Sequence, residues 1–193
     1  MINFLKNIDY SLFHFINHTI ASPYLDQVCS ILRNANTWIP LYIILGIYAL
    51  LKFKKKAWIY IAAVVLAFAL SDLIAYQCLK PLFARLRPCY NDLMHARLVL
   101  GSCGGNWGFP SSHASNHMAM ALTFILTGYF SSRWVNIVCI AWPLLIGFAQ
   151  VYVGVHYPAD IAGGFLFGAL VALFNYYAIL PLLMKIHVLL AGD

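Results

Sequence analysis

Residues 57–79 read AWIYIAAVVLAFALSDLIAYQCL, twenty-three positions carrying a single charge, Asp72. At about 1.5 Å per residue a helix of that length outruns the roughly 30 Å of bilayer hydrocarbon. A backbone in lipid must satisfy its own hydrogen bonds, so the stretch reads as a membrane-spanning helix. Working outward, four more apolar runs read the same way: Thr37–Phe53, His113–Phe130, Trp134–Val155 and Ile161–Met184. The composition agrees. Of 193 residues 63% are hydrophobic and 9% charged, with six Asp and no Glu, whereas soluble domains carry about 25% charged residues. A water-soluble globule is thereby excluded. Disorder is excluded too, since it needs low hydrophobicity and high charge. The net charge of +6 rests on few, scattered basic residues, so no nucleic-acid partner is expected. The expected fold is all-α: a polytopic membrane helix bundle of five to six transmembrane helices, one membrane domain over residues 1–193.

In the first 33 residues Phe4, Leu5, Ile8, Leu12, Phe15 and Ile16 recur at helical spacing, with Lys6, Asn7, Asp9, His14 and Asn17 between them. That pattern suits an amphipathic helix lying in the interface. Pro23 separates it from Tyr24–Leu32, which is too short to span alone; one kinked span over residues 1–33 is the other reading. No signal peptide is evident. The cluster Lys52–Lys56 places its turn in the cytoplasm by the positive-inside rule. Alternation then puts the long polar stretch 80–112 outside, Ser131–Arg133 inside and the 155–158 junction outside. Trp58 and Trp134 fall at the inner interface, Trp38 and Trp107 at the outer one, as belt aromatics do. The outward stretch also holds Lys80, Arg85, Arg87 and Arg97, against the trend, so those cations need another role. Cys89 and Cys103 lie there as well. A disulfide between them closes a 15-residue loop and contributes about 3 kcal/mol in the chain-entropy model; two free thiols are the alternative. Cys29, Cys78 and Cys139 read as small packing residues.

Three short clusters, each at the outer end of a span, carry chemistry. In the first, Lys80 to Arg87-Pro88, fixed positive charge and a planar guanidinium fork suit a phosphate, although basic residues also snorkel from helix ends. In the second, Phe109-Pro110-Ser111-Ser112-His113 runs into an apolar helix. A helix start offers unpaired N–H groups to an anion, with His113 beside it as a general acid; an ordinary N-cap with an interfacial His is the bland reading. In the third, Gly154 to Asp160, Pro158 opens the last helix and Asp160 folds back toward His156. A carboxylate on one imidazole nitrogen leaves the other as a nucleophile, and an Asp at the membrane rim is costly unless paired. Two His, one Asp and several cations describe phosphoryl transfer without a metal, and no two-metal set of carboxylates exists in the sequence.

These residues resemble the type 2 phosphatidic acid phosphatase superfamily, whose signature is Lys-x6-Arg-Pro, then Pro-Ser-Gly-His, then Ser-Arg-x5-His-x3-Asp. Here the pieces read Lys80…Arg87-Pro88, Pro110-Ser111-Ser112-His113 and Ala149-Gln150-x5-His156-x3-Asp160, with the resemblance covering about residues 37–184, the catalytic bundle. It implies that His156 attacks phosphorus, oriented by Asp160, that His113 protonates the leaving oxygen, and that Lys80, Arg87, Ser111 and backbone N–H groups hold the phosphate, with Ser112 and Gln150 at the remaining motif positions. It implies no cofactor and no metal, and a lipid phosphate or diphosphate substrate drawn from the membrane. Two departures stand out. Ser112 replaces the motif Gly. Gln150 replaces its Arg, and losing one charge-assisted contact costs about 1.5–3 kcal/mol; Arg85 and Arg97 are the candidates to supply that charge.

The resulting expectation is a hydrolase of the bacterial inner membrane, its active site facing the periplasm or exterior. Undecaprenyl diphosphate or phosphatidylglycerophosphate is the first expected substrate and lipid A an alternative. A non-catalytic lipid-phosphate binder or transporter and vanadate-dependent halide oxidation are the rivals. Asp72 reads as a helix bridge, Asn116, Tyr152 and Tyr157 as pocket lining or packing, His117 as support, and Gly163, Gly164 and Gly168 as a close helix contact.

Overall fold

The computed structural model describes residues 2–191, and every regular element in that range is helical. Helix α1 (Ile2–His14) ends in a π-turn over Phe15–Thr19, and α2 covers Pro23–Arg33. Helix α3 (Ile39–Phe53) precedes α4 (Ala57–Ile74), which continues through a π-turn at Ala75–Leu79 into α5 (Lys80–Phe83). Then come α6 (Ser112–Leu126), α7 (Arg133–Tyr152) and α8 (Pro158–Phe174), the last running through Asn175–Ile179 into α9 (Leu180–Ala191).

Three helical runs are long and apolar enough to cross a membrane: Ala35–Phe83, Arg133–Tyr152 and Pro158–Leu190. The chain is an integral membrane protein. The first run is itself a hairpin, because the backbone reverses at Lys54–Lys56 and Phe53 stacks on Tyr60 with ring centroids 3.8 Å apart. Helix α6 is the exception to the apolar pattern. It sits at the centre of the bundle between α4, α7 and α8, and Ala114 to Ala121 are all buried. A helix that meets protein rather than lipid can carry Ser115, Asn116 and His117, since neighbours satisfy them. It stops at Leu126, short of the expected Phe130, where the Tyr129 N–H closes the end on the Phe124 carbonyl at 2.9 Å. Helix α8 packs against α6 along its length. A Cβ at Gly168 would lie 2.3 Å from the Ser115 carbonyl oxygen, so glycine alone allows this approach.

The N-terminal helices separate at Pro23 as the sequence predicts, with Ser22 capping α2 through the Leu25 N–H at 3.3 Å. They lie across one end of the bundle, α1 on α8 and α2 on α7. Phe13 is fully buried against Tyr157. Asn17 is equally buried; its amide donates to the Tyr152 and Arg97 carbonyls and accepts the Arg97 N–H at 2.8 Å. Helix α5 keeps residues 80–83 helical, so the polar loop begins at Ala84 rather than Lys80. That loop is braced by the Cys89–Cys103 disulfide, by a bridge between Leu86 and Trp107, and by the Asn91 amide on the Tyr157 hydroxyl at 3.1 Å.

Candidate active site

The site begins with the turn that opens α8. Pro158 occupies the first helical position and Asp160 the third, where an acid suits the helix dipole and can accept a free N–H. The fully buried Asp160 carboxylate accepts the Tyr157 N–H through Oδ2 at 3.0 Å, and the same oxygen faces His156 Nδ1 at 3.5 Å. Its Oδ1 takes Arg85 Nη1 at 2.7 Å. The Asp160 carbonyl accepts the Ser111 N–H at 3.0 Å, which ties the second cluster to the third. Ser111 then caps α6, its hydroxyl accepting the Ala114 N–H at 3.5 Å, and His113 follows in the first turn.

The first cluster reaches the same place through the loop. Backbone bonds from Arg87 to Asn106 and from Gly108 to Arg85 lay these two segments side by side. A Cβ at Gly108 would sit 2.8 Å from Asp160 Oδ2, so only glycine lets the loop close on the carboxylate. Lys80 is buried at the junction of α4 and α5 and, among the described residues, forms no ion pair. Arg87 donates to the Cys103 carbonyl at 3.0 Å and the Trp107 carbonyl at 3.3 Å, and it too has no carboxylate partner among the described residues. Burial pushes the Arg87 guanidinium below its ordinary value, and the charge of Arg33 adds to the shift.

His156 is all but inaccessible. Burial pushes its pKa down to about 4; Asp160 works against the shift, and Arg87 and Lys80 reinforce it. At neutral pH the ring is therefore uncharged, with Nδ1 toward Asp160 and Nε2 on the opposite edge. The charges that act on His113 are those of His156, His117, Arg33 and Arg87. His117, one turn deeper, donates or accepts at the Tyr42 hydroxyl (3.3 Å) and is held to the His113 carbonyl at 2.7 Å. Asp72 accepts from the Asn116 amide at 2.9 Å and bridges α4 to α6.

One expectation changes. Arg85 and Arg97 were the candidates for the charge missing at Gln150, but both are already neutralised. Arg85 is held between Asp160 and Asp9, whose carboxylates outweigh the effect of burial and keep the guanidinium above its ordinary value. Arg97 pairs with Asp26 at 2.8 Å and donates to the Asn17 carbonyl. Gln150 itself is fully buried on α7, and neither its amide oxygen nor its nitrogen has a partner in the protein; the same holds for the Ser112 hydroxyl.

Asp9 was not expected here. Its carboxylate accepts the Ala159 N–H at 2.7 Å at the start of α8 and pairs with Arg85, so α1 reaches the His156–Asp160 turn through one guanidinium. In the sequence it is one polar residue on an amphipathic helix. A neutral imidazole backed by a carboxylate, a second histidine, a helix N-terminus and two unneutralised cations can bind a phosphate and attack it.

Comparison with known proteins agrees with the architecture. A model of the PAP2 superfamily matches residues 37–182. A lipid A 4'-phosphatase of Bacteroides thetaiotaomicron is 36% identical over 173 residues, covering 87% of this chain and 75% of that protein. An undecaprenyl-diphosphatase of Sulfolobus acidocaldarius is 30% identical over 132 residues, covering 68% of this chain and 58% of that protein. Among solved structures, the PAP2-type phosphatidylglycerolphosphate phosphatase of Bacillus subtilis superposes with a TM-score of 0.70 at 22% identity, covering 90% of this chain and 85% of its own. The chain belongs to the PAP2 superfamily.

Proposed function

We propose that this PAP2 superfamily member hydrolyses phosphate esters or diphosphates of membrane lipids through a phosphohistidine on His156. The observation that carries the reading is the His156–Asp160 pair set against Lys80, Arg87, Ser111 and His113 at one end of the bundle. Nε2 of the neutral His156 attacks phosphorus while Asp160 steadies Nδ1 and the imidazolium that forms. The N–P bond forms as the bond to the leaving oxygen breaks, and His113, protonated beside the negative charge of the bound phosphate, gives that oxygen its proton. Lys80, Arg87, the Ser111 hydroxyl and the N–H groups at the start of α6 take up the negative charge. Water then attacks phosphorus and passes a proton to His113. The N–P bond breaks, phosphate leaves and His156 is neutral again. Ser112 and Gln150 border the bound phosphate, and their unpartnered polar atoms gain a partner in it. No step calls for a metal or cofactor.

The domain is a single one, 1–193, with five membrane spans: α3, α4 with α5, α6, α7, and α8 with α9. Residues 1–33 lie at the interface over the end that holds the site. That end faces the outer leaflet of the inner membrane, opposite the cytoplasmic Lys54–Lys56 turn, and residues 80–112, helix α5 and the loop after it, are its rim. Among lipids, the 36% identity to a lipid A 4'-phosphatase across most of the chain favours a phosphorylated glycolipid, with undecaprenyl diphosphate next. The test is phosphate release by the detergent-purified protein, in EDTA, from lipid A, undecaprenyl diphosphate and phosphatidylglycerophosphate. Release that disappears in His156→Ala supports the reading; an Ala variant within tenfold of wild type overturns it.

A further inference from the structure

A cavity of about 480 Å³ opens beside His113 and is lined by neither Lys80 nor His156. Its walls are Ser30, Arg33 and Asn34 at the end of α2, with Thr37 and Leu100. No carboxylate lines it. Arg33 forms no ion pair among the described residues. Its position is built. The Asp26 carboxylate is fixed to the Tyr152 hydroxyl at 2.7 Å and to Arg97, which pins α2 to the bundle. One residue before Arg33, the Leu32 carbonyl accepts from the Trp38 indole at 2.9 Å, and one residue after it Asn34 caps the next turn. The charge of Arg33 is also felt by Arg87, where that of Asp160 works against it. A guanidinium without an ion pair, set in the wall of a cavity whose lining has no carboxylate, is a recognition site for an anion.

We propose that this cavity is a subsite for a second anionic group, carried on the leaving side of the substrate and read by Arg33. The inference rests on the assignment of His113 as the acid that protonates the leaving oxygen, because the cavity opens on that residue. The substrate class it selects is a lipid phosphate whose leaving group is itself charged. The second phosphate of a diphosphate meets this requirement, and so does the carboxylate of an acidic sugar on a phosphorylated glycolipid.

The experiment compares two substrate pairs that share the transferred phosphoryl group and differ in the charge of the leaving group. Diacylglycerol diphosphate releases anionic phosphatidate, whereas phosphatidate releases neutral diacylglycerol. Monophosphorylated lipid A with an attached octulosonate sugar, whose leaving group is anionic, is set against monophosphorylated lipid A without it, whose leaving group is neutral. Removing one charge-assisted contact is expected to lower kcat/KM roughly tenfold or more. Arg33→Gln should do so for the charged member of one pair and by less than about threefold for its neutral counterpart, with Arg33→Lys partly restoring the difference. The pair that responds names the anion. Equal loss on both members of both pairs, or no loss, overturns the subsite. If wild type turns over none of the four, the proposed function fails instead, and calorimetry of the His156→Ala protein with pyrophosphate and orthophosphate decides the subsite. Arg33→Gln should then cut the pyrophosphate-to-orthophosphate affinity ratio about tenfold, and an unchanged ratio overturns the inference.

Discussion

Replacing Asp9 by Asn keeps the shape of the side chain and one acceptor for the Ala159 N–H while removing the negative charge that holds Arg85. The carboxylate is 9% exposed and its partner guanidinium 26%. Breaking a fully buried ion pair costs about 3–5 kcal/mol, and a surface pair is worth about 0–1 kcal/mol. Arg85 is partly wet and keeps its bond to Asp160 at 2.7 Å, so the expected loss of stability falls between those limits, about 2 kcal/mol. The effect on turnover has a separate origin. Arg85 freed from α1 lets the Asp160 carboxylate move, and that carboxylate is already 3.5 Å from His156 Nδ1. A mispositioned orienting group costs about 1.4–2.7 kcal/mol of transition-state stabilisation, or ten- to a hundredfold in kcat. KM should stay within about threefold, because Asp9 touches no group assigned to the phosphate. Steady-state phosphate release and thermal unfolding of Asp9→Asn, Asp9→Glu and wild type, measured together, check this. Glu should recover part of kcat. An Asn variant with wild-type kcat, or one whose KM alone rises, refutes the coupling of α1 to the catalytic turn.

Gln150→Leu removes two buried, unpartnered polar atoms, each of which costs about 1–3 kcal/mol when unsatisfied. It should raise Tm by a few degrees while raising KM about tenfold; a Tm that falls with KM unchanged contradicts a phosphate-facing amide. Gly168→Ala drives a methyl to 2.3 Å from the Ser115 carbonyl. Overpacking of this kind costs about 1–3 kcal/mol, so at about 2–4 °C per kcal/mol for a chain of this size Tm should drop by about 2–12 °C, and an unchanged Tm contradicts the tight α6–α8 contact. The pH profile follows from His156, whose buried ring has its pKa lowered to about 4. It must be neutral to attack, so kcat/KM should hold as pH falls through 6.5 and be lost only near pH 4, once the substrate's own titration is measured separately. An acid limb at 6–7 belonging to the enzyme contradicts a desolvated His156.

Much of this was legible in the sequence because the signals are local. Lys80 to Arg87, Ser111 to His113 and His156 to Asp160 are each short stretches at helix ends, and Pro23, Pro158 and Ser22 mark the starts of helices by their own chemistry. The length of α6 was overestimated because its apolar run continues to Phe130, whereas its end is fixed by the Tyr129 turn bonding back to Phe124. The contribution of α1 and α2 was hidden for a different reason. Asp9 pairs across 76 positions with Arg85, and Asp26 across 71 with Arg97. No periodicity records partners so distant, and a polar face turned to protein has the same pattern as one turned to water. Arg33 was silent for the same reason: it ends a short helix, and only the packing of α2 over the bundle brings it to His113.

The most direct measurement is rapid acid-free quenching of the enzyme during turnover, followed by mass spectrometry of the peptide containing His156. Catalysis through this residue predicts a phosphoryl group on His156, stable to base and labile to acid, that accumulates with substrate and is missing in His156→Ala. Turnover with no phosphorylated residue, or with the phosphoryl group elsewhere, would contradict it.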